Sequence, residues 1–193
     1  TEIGTTLVKD FTTEFDGGGI SYFTMVGNTL FFRAQDRSEL SSDYELWKSD
    51  GTEAGTVLVK DLNPGANDYI QNLVVINNVL CFKAPGSSGY ELWKSDGTEV
   101  GTVALTDLSS SSTYIDSNFY IFGNLLYFED YNDDAWQSDG TAAGTTAYTG
   151  LIPFASARLF DDNGITFSWQ EFYDDEYGES TQQKVISDGT TTG

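Results

Sequence analysis

From residue 70 to residue 106 the apolar positions follow the short period of strands and never the longer period of helices. Residues 70–76 (Ile-Gln-Asn-Leu-Val-Val-Ile) form a β-rich run, Asn77-Asn78 interrupt it, and residues 79–83 (Val-Leu-Cys-Phe-Lys) resume it. Two such runs across a two-residue Asn/Gly step predict a hairpin, because the favoured turn needs positive φ at both central residues. Gly27-Asn28, Gly123-Asn124 and Asn163-Gly164 hold the same place elsewhere in the chain. A polar loop then leads to a third strand at 90–94, a turn at 95–101 and a fourth strand at 102–106. The predicted unit is a four-stranded antiparallel meander.

The unit recurs. Glu45-Leu-Trp-Lys-Ser-Asp-Gly-Thr-Glu-Ala-Gly-Thr56 returns almost unchanged as Glu91-Leu-Trp-Lys-Ser-Asp-Gly-Thr-Glu-Val-Gly-Thr102. It is looser in Asp134-Ala-Trp-Gln-Ser-Asp-Gly-Thr-Ala-Ala-Gly-Thr145 and shrinks to Ser187-Asp-Gly-Thr190 in the last copy. The four cores begin at 49, 95, 138 and 187, at intervals of 46, 43 and 49 residues. A strand-patterned period of about 40–50 residues marks a propeller or related array, in which each unit buries its faces against its neighbours. The expected fold is all-β: a β-propeller of four-stranded antiparallel blades, either a closed four-bladed ring or an arc of a larger array. One repeat domain is expected over residues 1–193, with periods near 1–51, 52–97, 98–140 and 141–193. Thr1-Glu-Ile-Gly-Thr5 matches Thr52-Glu-Ala-Gly-Thr56 and the chain stops at the same phase of the motif. Closure would then pair a first strand at 5–9 with a strand around 183–186.

Charge narrows the partners. The net charge is −21, from 30 acidic residues against nine Lys plus Arg. Without a basic stripe to neutralise phosphates, nucleic acid is excluded as a partner. An anionic membrane surface is disfavoured for the same reason, and no run is long and apolar enough to be read as a membrane span. Histidine is absent, which removes the usual general base and the commonest transition-metal ligand. The single cysteine, Cys81, falls where other repeats carry Phe31 and Tyr127, so it is expected in the core.

At Glu-Leu-Trp-Lys-Ser-Asp-Gly-Thr and the following Gly-Thr-Val-Leu-Val-Lys-Asp, the chain resembles the bacterial ELWxxDGT repeat proteins, also called hyalin-like repeats. The likeness is close in the first two periods and runs in weaker form through the whole chain. It implies a large extracellular protein, secreted or displayed at the cell surface, with no established chemistry. The fourth repeat departs most, with Val185 in place of the Trp and Thr149-Gly150 in place of Lys60-Asp61.

Four sets of residues carry candidate chemistry. Asp50, Asp96, Asp139 and Asp188 recur once per turn, each followed by a glycine: Gly51, Gly97, Gly140 and Gly189. A need shared by every repeat explains them: the carboxylate accepts local N–H groups while Gly supplies positive φ. Trp47, Trp93 and Trp136 stand three residues before three of those aspartates and are expected between blades. Trp169 and Tyr173 lie outside that series and are the candidate ligand-binding aromatics. The acidic clusters Asp130, Asp133 and Asp134, Asp161 and Asp162, and Asp174 and Asp175 offer hard oxygens suited to Ca²⁺, against the plainer reading of solvated loop charge. No residue is assigned a catalytic role.

The function expected is that of a non-catalytic structural or adhesive module. Its expected partners are other domains of the same protein or copies of itself, with surface glycans as a further class. Two alternatives remain: a calcium-dependent glycan-binding propeller and a hydrolase of the sialidase or glycosidase type.

Overall fold

A computed structural model describes residues 4–11, 19–35, 44–62, 69–86, 89–106, 114–115, 118–132 and 134–148, and the backbone of 160–162, 165–174 and 179–187. The chain divides into two compact units, Thr1–Tyr148 and Thr149–Gly193. Every described element in both is a β-strand.

The first unit holds three four-stranded antiparallel sheets, each a meander in chain order. Sheet 1 runs β1 (Ser21–Val26), β2 (Thr29–Gln35), β3 (Tyr44–Ser49) and β4 (Val57–Lys60). Sheet 2 runs β5 (Gln71–Ile76), β6 (Val79–Pro85), β7 (Tyr90–Ser95) and β8 (Val103–Ala104). Sheet 3 runs β9 (Tyr120–Phe122), β10 (Leu125–Glu129), β11 (Ala135–Ser138) and β12 (Thr146–Ala147). The second unit is a three-stranded sheet of β13 (Phe160–Asp162), β14 (Ile165–Asp174) and β15 (Glu179–Ser187).

The registers show one design applied repeatedly. Phe32 sits opposite Trp47, Phe82 opposite Trp93 and Phe128 opposite Trp136. Sheets 1 and 2 share an irregularity in the first hairpin, where Tyr22 and Asn72 adopt φ of 57° and 54°. The hairpin turns are less uniform than expected. Asn77 and Asn78 both have positive φ, but Gly27 and Gly123 carry it without Asn28 and Asn124. A glycine in first place admits the turn with positive φ there alone, so two sequences reach one hairpin by different turns.

Alternation along the strands of the first unit gives its sheets two faces, which we call leading and trailing. Phe31, Leu46 and Val59 on the trailing face of sheet 1 meet Ile70, Leu73, Leu80, Phe82 and Ala84 on the leading face of sheet 2. Ile76, Cys81, Leu92 and Leu105 on the trailing face of sheet 2 meet Leu126 and Phe128 on the leading face of sheet 3, with Ile115 between. Both clusters lie between sheets, so burial couples sheet 1 to sheet 2 and sheet 2 to sheet 3.

Residues 5–9, expected as a strand, carry no strand assignment. Residues 183–186 pair with β14, Gln183 opposite Gln170 and Ile186 opposite Phe167.

Candidate functional site

The repeated turn is a small hydrogen-bonded device built from four side chains. In the first copy Thr52 donates to Asp50 Oδ1 twice, from its N–H at 2.9 Å and its hydroxyl at 2.7 Å. Gly55 N–H donates to Thr52 Oγ1 at 3.0 Å, and Thr56 Oγ1 donates to Thr52 O at 2.6 Å. Beneath them Ser49 Oγ accepts from Gly51 N–H at 3.1 Å and shares a 2.7 Å bond with Thr56 Oγ1. Thr98 and Asp96 repeat the first pair at 2.8 and 2.7 Å, and Thr141 and Asp139 repeat it at 2.8 and 2.6 Å. Ser95 with Thr102, and Ser138 with Thr145, repeat the floor at 2.8 and 2.7 Å.

Two glycines make each turn possible. Gly51, Gly97 and Gly140 have φ of 92°, 87° and 88°, where a side chain is strained. Gly55, Gly101 and Gly144 lie against the carboxylates of Asp50, Asp96 and Asp139, where a Cβ would overlap the oxygens. The second glycine belongs to the motif, but the sequence carries no signal of its role. Its role depends on where the carboxylate folds back, which spacing does not show.

The electrostatics follow from these bonds. The Thr52 hydroxyl, then its N–H, hold the Asp50 carboxyl below the ordinary value of 3.8, and Thr98 and Thr141 do the same for Asp96 and Asp139. All three carboxyls are lowered by the same two threonine donors, with Lys48 adding to the effect at Asp96. Cys81 is fully buried, and burial pushes its thiol up to about 12. It has no nucleophilic character near neutral pH.

The second and third turns also dock on the sheet before them. Lys48 Nζ donates to Gly97 O at 2.7 Å, and Asn77 Nδ2 donates to Asp139 O at 3.0 Å and Asn124 O at 3.2 Å. Trp93 and Trp136 stand half-buried at these joints, and Trp47 is half-buried on the leading face of sheet 1. Lys60 reaches from β4 across Trp93, 5.8 Å from the ring centroid, and donates to Thr102 O at 2.9 Å. Lys9 does the same over Trp47 at 5.1 Å, donating to Thr56 O at 3.0 Å. The indole N–H groups of Trp47 and Trp93 are buried without an acceptor. Trp136 differs: its Nε1 donates to Asp130 Oδ2 at 3.0 Å.

That bond gives Asp130 a role different from the cation ligand it was a candidate for. The residue is 3% exposed, and its Oδ1 also accepts from the N–H groups of Asn132 and Asp134 at 2.9 and 3.1 Å. Asp134 is exposed, and its carbonyl accepts from Asp130 N–H at 3.0 Å. Among the described residues no three acidic or Cys side chains gather to hold a metal ion. Asp161, Asp162 and Asp174 are placed by backbone alone, in β13 and at the end of β14. Trp169 and Tyr173 occupy β14 opposite Lys184 and Ser180. Asp133, Asp175, Asp188 and Gly189 lie outside the described residues.

No family model matches the chain, and no curated protein matches it. Among solved structures, a puromycin hydrolase is similar over 83% of this chain and 25% of its own, at 12% identity and a TM-score of 0.50. A glycoside hydrolase is similar over 90% of this chain and 46% of its own, at 11% identity and a TM-score of 0.41. The chain thus spans less than half of either structure. At 12% identity the likeness to the puromycin hydrolase speaks of fold and not of chemistry.

Proposed function

We propose that the chain is a non-catalytic structural and adhesive module, a run of propeller-type blades in a larger secreted or surface-displayed protein. The observation that carries this reading is the identity of the turn in three repeats. One aspartate, one pair of threonine donors and one apposed glycine recur with bond lengths that agree within about 0.1 Å. Catalysis by carboxylates needs one asymmetric pair whose proton affinities are driven apart by their surroundings. Here the same neighbours act on each carboxylate in the same direction. The lack of histidine in the sequence points the same way. The extracellular setting rests on the resemblance to ELWxxDGT repeats and on the acidity of the chain, which suits a saline, cation-rich medium.

The test is a turnover screen over polysaccharides and amide substrates, run beside Asp50→Asn, Asp96→Asn and Asp139→Asn. The proposal expects no turnover by the wild type and three variants that differ from it in stability alone. Turnover of any substrate that one of the three abolishes would overturn it.

A further inference from the structure

We propose that the repeated turn is a chemical latch, which keeps the Asp-Gly bonds at Asp50, Asp96 and Asp139 from isomerising to isoaspartate. The device depends on the turn alone and goes beyond the structural reading above.

Asp-Gly is the dipeptide most open to this reaction, because glycine leaves its nitrogen unhindered. The glycine nitrogen attacks Cγ of the aspartate. A C–N bond forms and the bond from Cγ to one carboxyl oxygen breaks. That oxygen leaves as water, carrying the carboxyl proton and the amide proton. Water then reopens the five-membered imide at either carbonyl, and one of the two products runs the main chain through the side-chain carboxyl. No reagent other than water is needed. The turn cannot escape by replacing the glycine, since Gly51, Gly97 and Gly140 hold φ of 92°, 87° and 88°.

In the second turn both reacting groups are occupied. Gly97 N–H donates to Ser95 Oγ at 3.0 Å in a buried bond. Each hydroxyl has one proton to give, which fixes the direction of the bonds that follow. Thr102 Oγ1 donates to Thr98 O at 2.6 Å, so Ser95 supplies the proton of its 2.8 Å bond to Thr102. Ser95 Oγ is thereby held as the acceptor for Gly97. The Thr98 hydroxyl donates to Asp96 Oδ1 at 2.7 Å and accepts from Gly101 N–H at 2.9 Å. With the Thr98 N–H, at 2.8 Å from the same Oδ1, it ties the carboxylate to the residue beyond the glycine and against Gly101. These donors also favour the charged carboxylate, which is the poorer electrophile. Reaction then requires Gly97 N–H and the carboxylate to be released together, a local opening of the turn. Gly51 N–H on Ser49 Oγ and Gly140 N–H on Ser138 Oγ, both at 3.1 Å, repeat the clamp.

The experiment uses the full chain, incubated folded and also unfolded in guanidinium chloride at one mildly acidic pH. Chymotryptic cuts after Trp47, Trp93 and Trp136 place the three turns in separate peptides. Chromatography with electron-transfer mass spectrometry then resolves aspartyl from isoaspartyl forms. The folded wild type is expected to isomerise at least about tenfold more slowly than the unfolded chain at all three turns. Thr98→Val and Ser95→Ala should each raise the rate at Asp96 about fivefold, the scale of one lost hydrogen bond, with Asp50 and Asp139 at wild-type rate. Thr98→Ser keeps the hydroxyl and should keep the protection. Should Ser95→Ala fold poorly, the two Thr98 variants decide. Folded turns that react as fast as the unfolded chain overturn the proposal. So does a Thr98→Val rate at Asp96 equal to wild type. A rate that rises equally at all three turns overturns it too, since protection would then come from global folding and not from the latch. These readouts are independent of the turnover screen, so the latch and the non-catalytic reading stand or fall separately.

Discussion

The joint between sheets 1 and 2 and the joint between sheets 2 and 3 are assembled from the same turn and the same alternating apolar faces, yet they hold their tryptophan differently. At the first joint a cation from the preceding sheet lies over Trp93, and Ala84 sits fully buried at the position aligned with Asp130. At the second, Thr106 takes the place of Lys60 and its hydroxyl accepts from Leu92 N–H, while Asp130 takes the indole N–H of Trp136. The turn is the invariant and the contact with the tryptophan is exchangeable. One joint uses the ring face and leaves the N–H unpaired; the other uses the N–H. A cation over the ring and an anion at its edge are alternative answers to one requirement, holding a large aromatic in register between two sheets.

The comparison can be broken most severely at Asp130. Asp130→Ala removes the acceptor of three donors at a buried site, and we expect a loss of about 3 kcal/mol by denaturant unfolding. Adding Thr106→Lys to that variant makes the second joint resemble the first. It should recover about 1 kcal/mol, measured as a coupling between the two substitutions. Additive losses would show that the two joints are not versions of one device. Lys60→Met keeps the apolar stem but deletes the ammonium, and should cost about 1 kcal/mol with no effect on the second joint. The invariant turn carries an effect of similar size. Asp96→Ala should cost about 1 kcal/mol, the scale of a lost capping side chain, and leave both joints intact.

The turn aspartates also set an acid limit. Their carboxyls are depressed by hydrogen bonds made in the fold. Their contribution is therefore complete above the ordinary value of 3.8 and is lost as pH falls through the folded values. Stability measured against pH should stay level from neutrality toward 5 and drop below about 4. In Asp96→Asn the drop should be shallower.

The sheets were legible in the sequence because both signals behind them are local. Alternation gives strands, and glycine or asparagine gives turns, so β5 to β7 fall within a residue or two of their expected bounds. The role of Trp93 at the joint could be anticipated from its recurrence. The partner of Trp136 could not, since Asp130 lies in an acidic run that looks like solvated charge. What fixes its role is burial between sheets, a tertiary fact. Lys9 has no local signal for the same reason: its pattern is that of a strand, whereas its contacts are to a carbonyl and a ring some forty residues away. The positive φ at Tyr22 also had no sequence signal, because a bulky aromatic is a poor choice for that conformation.

The central claim is that the recurring aspartates are one structural part used repeatedly, and carbon-detected NMR titration of the side-chain carboxyls of Asp50, Asp96 and Asp139 tests it most directly. The account predicts three nearly superimposable curves, all with midpoints below 3.8, unchanged by added calcium or by polysaccharide. One carboxyl titrating well above its two counterparts would contradict it, since a single raised midpoint in an otherwise uniform set is the mark of a proton donor in an active site.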